Sequence, residues 1–227
     1  MKPIIEYPRI IPVGDAAVTI EFGNSIDPAL NDLVYALESV LDSSPFRPAI
    51  IEMIPSYRSL LVHFDTQQIA LETLKPEIEN LLIGLEPKPK EHRRTIEIPT
   101  IYGGESGPDL AYVAAHNQLP VERVIEIHSS RDYPVYMMGF TPGFPYLGGM
   151  DARIATPRLK NPRREIPAGS VGIADHQTGI YSLTSPGGWQ IIGRTSKKLF
   201  DPDATPPFLL CPGDLIRFVP VTEGSEQ

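Results

Sequence analysis

Residues 170–194 read SVGIADHQTGIYSLTSPGGWQIIGR. Short apolar runs at Ser170–Ala174, Ile180–Leu183 and Trp189–Gly193 are separated by residues that turn the chain, chiefly Asp, Ser, Pro and Gly. Runs of this length, bounded by turn formers, read as strands rather than helices. The same grain begins at Gly139 and returns at Leu215–Val219. That density of short strands and turns predicts a closed or nearly closed β-barrel.

Working outward toward the N-terminus, Val135–Met138 and Thr95–Thr100 read as further strands, the latter followed by a Gly-rich turn. Two short helices are predicted between them, around Asp109–Asn117 and Pro120–His128. Residues 95–227 are therefore read as a β-barrel domain with two short helices. The stretch from Glu86 to Arg94 is charged and proline-punctuated, and a linker is placed at 87–94.

Residues 1–86 have a different texture. Val18, Ile20 and Phe22 alternate with Thr19 and Glu21, as in a half-buried strand. Asp27 followed by Pro28 reads as an N-cap and first helical turn. Leu30, Leu33, Val34, Leu37, Val40 and Leu41 then share one helical face. Ala49–Ile54 and Leu60–Phe64 read as strands, and a second helix is expected from about Gln67 to Leu85. Pro76 inside that helix predicts a kink or a late start. The N-terminal domain is thus a small α+β layer, a sheet with two helices on one side.

Composition bounds the function classes. The chain has 227 residues, enough to bury a core without disulfides or metal. Its 25 prolines exceed the usual share of roughly 5% and fit a turn-rich fold. The single cysteine, Cys211, excludes a disulfide framework, a Cys-rich zinc site and an iron–sulfur cluster. A net charge of −8 argues against a nucleic-acid partner. Glu6, Arg9 and three prolines break any signal-peptide pattern at the start. Pro134–Met150, although uncharged, is too rich in Pro and Gly to span a membrane. A cytoplasmic protein without a membrane partner is expected. The five histidines show no metal-ligand spacing, so no metal site is expected, and His116 and His128 are read as flanking helix ends.

Several segments invite chemical readings. Gly188–Thr195 nearly matches a phosphate-binding P-loop, with Arg194 in the lysine position. Its bulky centre and the absence of a following helix favour a barrel strand. Ala168–Gly172 resembles a nucleophile elbow, but strand, turn and strand follow it where a helix is required. Phe140-Thr-Pro-Gly-Phe-Pro-Tyr-Leu-Gly-Gly149 sets three aromatics among stiff and permissive backbone. It reads equally as a ligand wall or as a plug closing the barrel. Asp151–Glu165 carries Arg153, Arg158, Lys160, Arg163 and Arg164 against two acids. This island of net positive charge reads as an anion-recognition loop, or as a solvated loop with balancing arginines.

Taken together, GFTPGFPYLGGMD, PRLKNPRREIPAGSVGIA, SPGGWQIIGRT and PGDLIRF strongly resemble the family of the 5-oxoprolinase B subunit. That family also contains the kinase inhibitor KipI and carries the older label allophanate hydrolase subunit 1. GDAAVTIEFG, IPSYRSLLVHFD and IYGGESGPDLAYVAAHN fit it too, so the resemblance runs from about Gly14 to Pro220. It implies an α+β domain followed by a cyclophilin-like β-barrel. It further implies a non-autonomous B subunit, working with A and C subunits in ATP-dependent opening of 5-oxoproline to glutamate. A stable complex with the C subunit is part of that expectation. ATP is implied for the assembled enzyme, with no cofactor assigned to this chain alone. The serine–serine–lysine arrangement of an allophanate amidase is not found. The alternative implied role is inhibition of a histidine kinase's autophosphorylation by docking.

For either role the working surface is expected at the barrel mouth. Phe140, Pro142, Phe144 and Tyr146 would supply a close-fitting wall together with Gly187, Gly188 and Trp189. Arg158, Arg163, Arg164 and Arg194 would hold an anion by paired hydrogen bonds. Catalytic residues are not identified.

Overall fold

The computed structural model describes residues 7–87 and 94–222. The chain divides into two compact units, Met1–Glu91 and His92–Gln227. Positions 88–93, most of the expected linker, lie outside the described residues.

In the first unit, β1 (Arg9–Val13), β2 (Ala17–Glu21), β3 (Ile50–Pro55) and β4 (Ser59–Phe64) form an antiparallel sheet in the order β1-β2-β4-β3. Strand β1 was not anticipated, because Pro8 and Pro12 interrupt its apolar pattern. It is an edge strand, where a proline's missing N–H is tolerated. Helix α1 (Pro28–Asp42) begins at the expected cap, the Asp27 carboxylate accepting the Ala29 N–H at 2.8 Å. Val34, Leu37 and Leu41 of α1 share one core with Ile20, Leu60 and Val62 of the sheet. Helix α2 (Leu71–Leu82) adds Leu74 and Ile78 and carries Pro76 within it. It takes the late start: Asp65 holds Gln67 N and Gln68 Nε2 in a turn, so the helix begins only at Leu71.

The second unit contains β5 (Thr95–Tyr102), α3 (Leu110–His116), α4 (Val121–Ser129), β6 (Asp132–Met138) and β7 (Pro145–Leu147). There follow β8 (Arg163–Ile166), β9 (Ser170–Ala174), β10 (Gln177–Ile180), β11 (Ser185–Gly187), β12 (Gln190–Arg194) and β13 (Leu215–Pro220). Seven strands close a barrel in the order β10-β7-β6-β13-β5-β12-β9, while β8 and β11 pair separately as a two-stranded ribbon. The barrel with two short helices, after an α+β unit, is the expected architecture. Strand β10 lies earlier than the expected Ile180–Leu183. Its Gln177, Thr178 and Gly179 carry little apolar signal, and pairing with β7 and β9 places them in the sheet.

The barrel core joins Ile98, Val113, Val124, Ile173, Ile192, Ile216 and Phe218. His128 lies in the last turn of α4, yet its ring is wholly buried rather than capping the helix. Nε2 meets Thr178 Oγ1 at 2.9 Å and Nδ1 meets the Tyr102 hydroxyl at 2.7 Å. Thr178 donates its one hydroxyl proton to Gly172 O, so it accepts from His128 Nε2–H. Nδ1 is then the acceptor for Tyr102. Burial pushes the His128 pKa down to about 3. Among the described residues, no helix is long and apolar enough to cross a membrane.

Candidate functional site

A second apolar cluster, distinct from the barrel core, gathers Phe144, Ile166, Ala174, Tyr181, Trp189 and Ile191, with Tyr146 packed against it. Its rings meet edge to face, Phe144 with Trp189 at 5.5 Å and with Tyr181 at 5.3 Å. Chain turns bring these rings together. After β6, Thr141 N–H bonds Gly139 O at 2.8 Å around Phe140, which has a φ of 66°. A non-glycine residue with positive φ in so tight a turn is strained. The turn holds Phe140 outward, 62% exposed, with its ring 5.6 Å from Phe144.

Between these rings lies a cleft of about 250 Å³, lined by Phe140, Phe144, Tyr146, Arg158, Pro162, Tyr181, Pro186, Gly187, Gly188 and Trp189. The Arg158 guanidinium stands 5.8 Å over the Trp189 ring and 3.6 Å from Asp175. A Cβ on Gly187 would lie 2.2 Å from the Tyr181 hydroxyl, so only glycine lets the backbone pass there. Burial raises the Tyr181 phenol to about 12 and lifts Tyr146 in the same direction. Both are neutral at physiological pH. The cleft is therefore an aromatic slot with one cation, Arg158, at its rim.

Seven of the residues read from sequence line this slot: Phe140, Phe144, Tyr146, Arg158, Gly187, Gly188 and Trp189. Four do not. Arg163 stands behind it, donating to Trp189 O at 3.4 Å and to Asp109 Oδ1 at 2.7 Å. Pro142 lines an adjoining apolar hollow with Phe208 and Leu210. Arg164 is exposed on β8, and Arg194 lines another cavity with Lys197 and Lys198. Sequence reasoning missed Tyr181 and Asp109. Tyr181 was read as one more strand residue. Asp109 falls at the start of the helix expected around Asp109–Asn117; at the N-cap of α3 it makes no side-chain cap bond and turns to Arg163 instead.

The other motifs resolve into scaffold. The P-loop-like segment contains β12, whose backbone is taken by β5 and β9, leaving no loop of amides to wrap a phosphate. Ser170 is buried in β9, away from any strand-to-helix turn. Among the described residues, no three His, Cys, Asp or Glu are placed to hold a metal ion.

The family described as carboxyltransferase domain, subdomain C and D, matches residues 8–210. The chain is 46% identical over 225 residues to the 5-oxoprolinase B subunit of Bacillus subtilis (strain 168), covering 95% of this chain and 93% of that protein. It belongs to the 5-oxoprolinase B-subunit family. The family's protein from Escherichia coli O157:H7 is 43% identical over 93% of this chain and 95% of its own length. Among solved structures, the chain is similar to a conserved uncharacterized protein from Pyrococcus horikoshii. That match has 48% identity and a TM-score of 0.57, over 95% of this chain and 98% of the other. Urea carboxylase from Kluyveromyces lactis is 22% identical with a TM-score of 0.75, over 94% of this chain and 22% of the other. It shares the fold of this B-subunit family member.

Proposed function

We propose that the chain serves as the B subunit of an ATP-dependent 5-oxoprolinase, acting with A and C subunits to open 5-oxoproline to glutamate. The observation that carries this reading is likeness over nearly the full length to proteins named as the B subunit of 5-oxoprolinase. The chain works in the cytoplasm and is inactive alone. ATP serves the assembled enzyme by supplying the phosphoryl group that activates the lactam. Along the sequence, the charged stretch 87–94 is the linker between the α+β and barrel domains.

The aromatic slot takes the substrate. A five-membered lactam presents a flat ring to Trp189 and a carboxylate to Arg158. The glycines at 187 and 188 let the backbone approach it closely. Arg163 and Asp109 hold this wall in place from behind. A slot of about 250 Å³ suits a ligand of this size better than a peptide.

The test is ATP-dependent glutamate release from 5-oxoproline with each of the three proteins omitted in turn. Activity is expected only when all three are present. Turnover by this chain alone, or full turnover without it, overturns the reading. Inhibition of histidine-kinase autophosphorylation by this chain alone would instead assign it the docking role.

A further inference from the structure

A positive concavity in the second unit is separate from the aromatic slot. It measures about 510 Å³, and Arg194, Lys197 and Lys198 line it together with Ser106, Thr195 and Ser196. No Asp or Glu lines it among the described residues. The chain as a whole has 28 acidic against 20 basic residues, so three cations on one cavity wall that carries no acid run against its average.

The cations differ in what engages them. Lys198 pairs with Asp201 at 2.7 Å. Arg194 donates Nε to the Ala168 carbonyl at 3.2 Å, which fixes the guanidinium by a neutral partner. Neither Arg194 nor Lys197 has a carboxylate at ion-pair distance among the described residues. Their charges stay uncompensated at the cavity wall, and a concave wall focuses such a field.

The backbone that carries them is fixed. Gly169 has a φ of 82°, and a Cβ there would lie 2.1 Å from Thr195 O. Thr195 N–H bonds Gly169 O at 2.9 Å, and Thr195 Oγ1 accepts the Lys197 N–H at 3.2 Å. Arg194 and Lys197 are thereby held on either side of one turn before any ligand arrives.

We propose that this cavity binds a phosphoryl group, either free or as the polyphosphate of a nucleotide. A planar guanidinium, ammonium groups and hydroxyls suit a tetrahedral group with several acceptor oxygens. The proposal concerns binding only and does not rest on the oxoprolinase reading.

Calorimetric titration of the full chain with sodium tripolyphosphate, and separately with ATP, at fixed ionic strength tests it. Saturable binding is expected, at least tenfold weaker in Arg194→Ala/Lys197→Ala. The control Lys75→Ala/Arg123→Ala removes the same charge elsewhere and should bind within twofold of wild type. Equal affinity for the two probes assigns the site to phosphate itself, and tighter ATP binding assigns it to a nucleotide. If the alanine pair fails to fold, Arg194→Gln/Lys197→Gln should show the same loss. Absence of saturable binding, binding untouched by the cavity variants, or equal loss in the control overturns the proposal. If wild type binds neither probe while the cavity variants no longer associate with the enzyme's C subunit, the surface serves an acidic partner instead.

Discussion

Arg163 Nη2 donates to Asp109 Oδ1 at 2.7 Å, and the other Asp109 oxygen accepts the Ile191 N–H at 2.6 Å. One carboxylate at the head of α3 thereby ties the β8 ribbon to β12, two residues beyond Trp189. The ion pair is mostly inside the protein, with the Asp109 side chain 12% exposed and Arg163 33%. An arginine that sequence alone offers to an external anion is engaged internally.

Asp109→Ala leaves Arg163 without its partner and Ile191 N–H unsatisfied. We expect a loss of about 2–3 kcal/mol, the scale of breaking a largely buried charged pair. Trp189 is the single tryptophan of the chain and is 5% exposed, so its fluorescence reports this unit directly. Denaturant unfolding followed at Trp189 should show an earlier midpoint and a red-shifted native emission. An unchanged midpoint would contradict the role given to Asp109.

Neighbouring glycines should respond differently. A Cβ at Gly187 would lie 2.2 Å from the Tyr181 hydroxyl and 2.8 Å from Ile166 Cδ1. Gly187→Ala must therefore displace Tyr181 in the slot, at a cost of about 1–3 kcal/mol. At Gly188 the nearest atoms stand at 3.7 Å, ordinary contact, so Gly188→Ala should fold with near wild-type stability. Thermal unfolding of the two variants side by side decides it, and equal stabilities would refute the packing argument.

Arg158→Ala should raise the KM of the assembled enzyme for 5-oxoproline tenfold or more, with a smaller change in kcat. That is the scale of one charge-assisted hydrogen bond, about 1.5–3 kcal/mol. Arg164→Ala should cost less, since Arg164 does not line the slot. Steady-state kinetics with saturating ATP separates the two. Wild-type KM in Arg158→Ala would remove Arg158 from the site.

His128 makes stability depend on pH. In the unfolded chain imidazole gains a proton near pH 6.5, whereas the buried native ring does so near pH 3. Between those values the unfolded state binds more protons, so native stability falls as pH drops. The slope from this group approaches about 1.4 kcal/mol per pH unit. Asp65, Asp151 and Asp201 are held below the ordinary carboxyl range by hydrogen bonds from Gln68, Arg153 and Lys198 respectively. Their stabilising effect is lost only below about pH 4. Urea unfolding between pH 7.5 and 4.5 therefore isolates the histidine effect from these carboxylates. His128→Gln should be less stable at pH 7.5 and decline less steeply with acid. Parallel pH profiles would count against a neutral buried ring.

Local patterns determined much of this protein. Alternation in β2 and β4, the Asp27–Pro28 helix start and the Gly- and Pro-bounded runs after Gly139 each report on neighbours along the chain. Backbone geometry turns such patterns directly into strands, caps and turns. They also separate an α+β part from a barrel part, and the aromatic loop together with Arg158, Gly187, Gly188 and Trp189 marked most of one cleft. Three of the shortest strands, β7, β8 and β11, were illegible because three or four residues carry no period. What each charge does was decided only in three dimensions. Arg158, Arg163, Arg164 and Arg194 are the same residue type within 37 positions, yet one rims the slot, one pairs internally, one is exposed and one lines a separate cavity. His128, Tyr102 and Thr178 form a buried chain although they stand on different elements. Electrostatics and burial act through space, so these roles followed from barrel closure rather than from spacing along the chain.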